Sequence, residues 1–187
     1  MPLLAAEVNV YPTDLFDPSA ESQAADCCWW VLHTRPRQEK ALARQLAEQH
    51  VNFYLPIISH RLRLRGRNLT SHVPLFPGYV FLLANREQRH TALTTNRVVQ
   101  TLPVGDQNAL WRDLRQIYRL IATGAVITPE DRLAPGSVVD ITTGPLAGLK
   151  GKIVRTASGQ RFVVEVDFIQ RGASVLLDDH CLAPSQG

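Results

Sequence analysis

The sequence predicts an α+β protein, an antiparallel sheet backed by helices and followed by a small all-β domain. Three observations lead there. Up to Gly124, aromatic and β-branched runs alternate with segments of helical period. Arg61-Leu62-Arg63-Leu64-Arg65-Gly66-Arg67 alternates with a period of two around a turn glycine, which is a hairpin pattern. From Gly136 to Ala183 six glycines break a run rich in Val, Ile and Thr into short strands, and no helical period lasts there.

The elements follow in order. Trp29 to His33 reads as a strand. Thr34 and Pro36 open a helix, because proline is tolerated only in a first turn, and Leu42 and Leu46 with Ala43 and Ala47 give it a narrow apolar stripe. Asn52 ends that helix, and Phe53 to Ile58 forms a second strand. The arginine hairpin returns into Leu75 to Leu82, where Pro77-Gly78 bends the chain. Tyr79 and Phe81 then point to one sheet face, and Val80 and Leu82 to the other. Both sets are apolar, so this strand is either sandwiched or shows its rings to a partner.

A second helix follows Asn85, ahead of a short Val98-Val99 strand. Leu110, Leu114, Ile117 and Ile121 mark a third helix, with Arg112, Arg115 and Arg119 on another face and Gly124 as its stop. The polar stretch from Gly124 to Pro135 reads as a linker. The expected division is an acidic disordered tail over 1–26, a first domain over 27–124, a linker over 125–134 and a second domain over 135–187.

Charge is unevenly placed along the 187 residues. Residues 1–26 hold five acids and no Lys or Arg, residues 27–124 hold 14 basic and 5 acidic side chains, and residues 125–187 hold 6 basic and 7 acidic ones. A middle section with that excess draws polyanions. The N-terminal residues lack the basic start and apolar run of a signal peptide, and no stretch reaches membrane-spanning length. Cys27, Cys28 and Cys181 make neither a disulfide framework nor a zinc site, which fits a reducing cytoplasm.

No pattern here supports catalysis. There is no nucleophile elbow, P-loop, dinucleotide fingerprint or metal-spaced histidine pair, and the six histidines fall in separate elements. The chain is read as a non-enzyme needing no metal or cofactor. Arg61, Arg63, Arg65 and Arg67 on one hairpin carry the stronger signal. Charged edges do prevent strand aggregation, yet four unrelieved arginines repel one another unless an anion sits opposite, and guanidinium suits phosphate.

Trp29-Trp30-Val31, the helix at Glu39-Lys40 and Leu75-Phe76-Pro77-Gly78-Tyr79-Val80-Phe81 together resemble the N-terminal domain of the NusG family of transcription elongation factors. Pro135-Gly136-Ser137-Val138-Val139-Asp140-Ile141, Gly144-Pro145-Leu146-Ala147-Gly148 and Gly151-Lys152-Ile153 are similar to the KOW motif that ends these proteins. Val51 to Pro56, Arg65-Gly66-Arg67 before Pro74-Leu75-Phe76-Pro77, and His90-Thr91 before Arg97 resemble the specialised RfaH-type antiterminators. Two departures stand out: His90-Thr91-Ala92-Leu93 replaces a His-Thr-Thr-Thr run, and Gly78 follows the general factor.

The resemblance implies a NusG-type domain joined to a small SH3-like KOW barrel, in a monomer that suppresses pausing or termination. It implies docking of Tyr79, Phe81 and Phe76 on the β′ clamp helices of RNA polymerase, with His90 and Thr91 toward the β subunit. Arg35, Arg61, Arg63, Arg65, Arg67 and Arg97 would face DNA of the transcription bubble. Gly136, Gly144, Pro145, Gly148 and Gly151 would build the KOW turns, and the barrel would hold a permanent β fold that recruits a ribosomal protein or Rho. A general NusG factor remains an open alternative, as does a KOW RNA-binding or ribosome-associated protein without polymerase contact.

Overall fold

The computed structural model describes residues 7–17, 26–64 and 67–177, with backbone alone between 61 and 69. The chain divides into two compact units, 1–107 and 108–187.

The first unit is built on a five-stranded antiparallel sheet. Its strands are β1 (Val10–Tyr11), β2 (Cys28–Thr34), β3 (Asn52–Tyr54), β6 (Tyr79–Ala84) and β7 (Val98–Pro103), and they lie in the order β1-β3-β6-β2-β7. Helix α1 (Glu39–Glu48) and helix α2 (Arg86–Thr94) contribute Leu42, Ala43, Leu46 and Ala92 to a core with Leu32, Phe53, Val80 and Leu82. Burying each large apolar side chain of that core contributes about 1.5–3 kcal/mol. Alternation along β6 therefore dedicates Val80 and Leu82 to the helical side.

Helix α2 starts where its capping chemistry dictates. The Asn85 side chain accepts the Gln88 N–H at 2.9 Å, and the Gln88 side chain accepts the Asn85 N–H at 3.1 Å. Helix α1 begins later than its proline suggests. Pro36 lies in a turn, Arg37 has a φ of 62°, and no helix can run through that left-handed residue.

Among the described residues, strands β4 (Ile57–Leu64) and β5 (Arg67–Pro74) pair only with each other and form the hairpin the alternation predicts. Arg61 stands opposite Thr70 and Arg63 opposite Asn68, whereas Arg67 stands opposite Leu64. The row of four is thus not continued in register across the turn. Arg65 itself lies outside the described residues, as does Cys181.

Two expectations about order are corrected. Residues 7–17, placed in a disordered tail, are structured: Val10 pairs with Tyr54, Tyr11 pairs with Phe53, and Leu15 and Phe16 are buried. Burial of those two side chains outweighs the acid-rich composition around them. Residues 128–130, placed in a linker, form β8 (Thr128–Glu130), which pairs with β12 (Arg171–Leu176). Pro129 fits there because β8 ends its sheet, and an edge strand can spare one N–H.

That sheet belongs to the second unit and is completed by β9 (Ser137–Asp140), β10 (Lys150–Thr156) and β11 (Gly159–Val166). It is antiparallel throughout, in the order β8-β12-β11-β10-β9. Phe162, Val164, Val166, Ala173 and Val175 lie in its core. Gly151 permits the close pairing, because a Cβ there would stand 2.4 Å from the Val163 carbonyl and 2.7 Å from the Phe162 ring. Helix α3 (Gln107–Ala122) belongs almost wholly to this unit. Its buried stripe is Leu110, Leu114, Ile117 and Leu120, so Leu120 takes the place expected for Ile121. Asp113 accepts the Asp167 N–H at 3.1 Å, Gln116 accepts the Lys150 N–H at 3.3 Å, and Arg119 donates to the Gly148 carbonyl at 2.8 Å.

Candidate functional site

The candidate residues of the first unit sit on one sheet face and at one sheet end. Cross-strand pairing sets Tyr79 beside His33, Phe81 between Val31 and Tyr54, and Leu83 beside Trp29. Opposed residues of antiparallel strands share a side, so these form one aromatic face opposite the helices. The strand is sandwiched rather than open. Phe81 is fully buried and Phe76 nearly so, with the two rings edge-on at 6.3 Å. Of the two readings the aromatic spacing leaves open, both rings are covered in this structure, whereas the resemblance implies their docking on a partner. Tyr79 is half-buried, with its ring 5.5 Å from His33.

The sheet end gathers positive charge. Gly78, held at a φ of 85°, offers its carbonyl to the Thr34 N–H at 2.8 Å, and its own N–H donates to Glu39 at 2.7 Å. This fixes the Pro77-Gly78 bend against the start of α1. The Arg35 N–H donates to the Arg97 carbonyl at 2.8 Å, so two of the candidate cations lie on adjacent backbones. Arg97 is steered by neutral groups: its guanidinium donates to Gln38, and to Gln45 at 3.4 Å. Among the described residues no carboxylate pairs with Arg35, Arg37 or Arg97.

Beside them opens a cleft of about 640 Å³ between the start of α1, the base of the β4–β5 hairpin and the Pro77-Gly78 bend. Arg37, Lys40, His33 and His72 lie around it together with the Glu39 carboxylate, Val99 lines one wall, and among the described residues the buried Thr34 hydroxyl at its edge has no hydrogen-bond partner. The cleft is partly apolar and mixes cations with one carboxylate, Glu39, which the Gly78 N–H holds. Sequence reasoning found Arg35 and Arg97 but missed Arg37, Lys40 and Thr34. Only the concentration of basic residues around Pro36 hinted at them.

Other candidates are placed elsewhere. His90 is exposed on α2 and Thr91 half-buried beside it, its hydroxyl donating to the Glu87 carbonyl at 3.1 Å. The hairpin backbone carries Arg61, Arg63 and Arg67. Burial pushes the Cys27 thiol above its ordinary range, away from reactivity. In the second unit Gly144 and Gly148 share a φ of 79°, Pro145 lies with them in the β9–β10 connection, Gly151 is in β10 and Gly136 directly precedes β9.

The family model described as "Transcription termination factor nusG" matches residues 27–121, just over half of the chain. The chain belongs to the NusG family. Members of this family are transcription elongation factors that bind RNA polymerase, and they are not enzymes. The matched NusG segment begins one residue before β2 and ends in α3. The chain is also similar to a solved structure titled "Domain interaction in Thermotoga maritima NusG". Identity is 21%, coverage is 82% of this chain and 94% of that one, and the TM-score is 0.45. No curated protein matches. No helix among the described residues of this NusG-family chain is long and apolar enough to cross a membrane.

Proposed function

We propose that this chain is a specialised NusG-family antitermination factor that docks on the β′ clamp helices of RNA polymerase and contacts DNA at the edge of the transcription bubble. The observation carrying the proposal is the set of Arg35, Arg37 and Arg97, without a carboxylate partner among the described residues, beside the cleft and within or next to the NusG-matched strands. A factor bridging clamp and DNA favours one polymerase conformation by binding it more tightly, so pausing falls without chemistry by the factor. Tyr79 is the docking residue already within reach of a partner, Phe76 and Phe81 being covered as the chain stands. His90 and Thr91 on α2 face the β subunit in this reading. The second unit serves as the KOW domain, keeping a β fold and recruiting a ribosomal protein or Rho.

Tyr79→Ala tests the docking surface. Truncating an interface aromatic commonly costs about 2 kcal/mol or more, so affinity for core polymerase should fall roughly thirtyfold. Far-ultraviolet circular dichroism of the variant should be unchanged. Undiminished binding in a pull-down would remove Tyr79 from the interface and with it the assigned face.

A further inference from the structure

The segment before the NusG match does something the matched residues do not explain. It approaches along helix α1, where Glu7 pairs with Arg44 at 2.9 Å and Lys40 at 3.7 Å. The Asn9 carbonyl accepts the Leu55 N–H at 2.7 Å, and Val10 and Tyr11 add an edge strand against β3. The chain then turns, with the Leu15 N–H donating to the Pro12 carbonyl at 3.1 Å and the Asp17 N–H to the Asp14 carbonyl at 2.8 Å. That turn sets Leu15 and Phe16 into the aromatic sheet face. Phe16 lies parallel to Trp29 at 6.3 Å and edge-on to Tyr54 at 4.9 Å, and Tyr54 is the cross-strand partner of Phe81.

We infer that residues 7–17 are a displaceable resident of this face, and that a partner docking there takes the seat of Leu15 and Phe16. The inference rests on the proposal that polymerase uses the face carrying Tyr79. The attachment is of a kind that opens locally. Its strand is two residues long, its ion pairs are solvated and therefore weak, and two apolar side chains supply its anchorage. Those anchors are flanked by Asp14 and Asp17, whose side chains are already exposed and hold no part of the segment in place. Trp29, Tyr54 and Phe81 would by contrast leave a continuous aromatic surface, which a second apolar partner can cover.

The test is amide hydrogen exchange on the full chain, alone and with core RNA polymerase. The N–H groups of Leu55, Val10, Tyr11 and Leu15 should exchange about tenfold faster in the complex, while those of β2 and β6 gain protection. Glu7→Lys, which turns both ion pairs into repulsions, and Phe16→Ala should each raise polymerase affinity about threefold or more. Binding with the N–H groups of Leu55, Val10, Tyr11 and Leu15 still protected, or with either variant no tighter than the natural chain, overturns the inference and leaves the docking proposal standing. A chain that fails to bind core polymerase at all removes the docking proposal, and this inference falls with it.

Discussion

The two units treat their charges in opposite ways. In the second, three of the basic side chains meet carboxylates within the fold: Lys152 reaches Glu165 at 2.7 Å, Arg161 reaches Glu130 at 3.6 Å and Ser174 at 2.8 Å, and Arg171 reaches Asp131 at 3.7 Å. In the first, Arg35 and Arg37 are exposed, Arg97 rests on amides, and Arg89 lies 4.3 Å over the Trp30 ring. Among the described residues only Lys40 and Arg44 pair there with a carboxylate, and that carboxylate belongs to Glu7. Charges satisfied inside a fold contribute to stability, and charges left over contribute to its field. The proposed polyanion contact therefore belongs to the first unit, where the unpaired cations are gathered.

The largest effect should come from breaking the satisfied side of this contrast. Arg161→Ala takes the guanidinium away from the Glu130 carboxylate and from the fully buried Ser174 hydroxyl, leaving those two bonded only to each other, and a lost charge-assisted interaction of that kind costs about 1–3 kcal/mol. Urea denaturation should show the loss. Arg35→Ala, at an exposed side chain, should change stability by no more than about 0.5 kcal/mol. Equal losses at the two sites would erase the distinction.

Binding should rank the same residues in reverse. Every phosphate that an arginine ceases to neutralise lowers the salt slope by about 0.7–0.9, so Arg35→Gln with Arg97→Gln should flatten the log–log dependence for a single-stranded DNA oligonucleotide by roughly 1.5. Arg161→Gln should leave the slope alone. Fluorescence anisotropy across a salt series reads both.

A pH-dependent effect concerns an acid in the wrong surroundings. Burial pushes the Asp113 carboxyl from 3.8 up to about 6; Asp167 and Glu165 add to the rise, against the Asp167 N–H and Arg112. The folded state then holds its proton more tightly than the unfolded state. Its contribution to stability is complete below about pH 4 and is lost as pH rises through about 6. Asp113→Asn keeps an acceptor for the Asp167 N–H and removes the charge, so it should stabilise the second unit at pH 7 and flatten stability between pH 4 and 6. A slope unchanged in thermal melts would place the pH dependence elsewhere.

Elements with strong local signals were legible in the sequence. The Arg-Leu alternation announced the β4–β5 hairpin, Asn85 announced α2, and the Leu110-Leu114-Ile117 spacing announced α3. What stayed hidden depends on tertiary context. Leu15 and Phe16 lie among acids and near Pro12 and Pro18, so no periodicity marks them as anchors. Pro129 reads as a breaker until its strand is known to be an edge. Phe81 could not be assigned to core or interface, because alternation separates two faces without saying what covers either. Arg37 and Thr34 meet at the cleft only because a left-handed turn and a sheet end converge there, and spacing along the chain carries no trace of that.

Helix α3 decides where this chain can be taken apart. A cut at Gly124, where the sequence places the end of the first domain, would strip Asp113, Gln116 and Arg119 from the second sheet. The N–H groups of Asp167 and Lys150 and the carbonyls of Gly148 and Ala147 would be left to water. A fragment starting at Asn108 carries those partners with it. The helix that closes the NusG match is thus inherited by the neighbour, and fragments divided by homology and by packing would differ in what they leave bare.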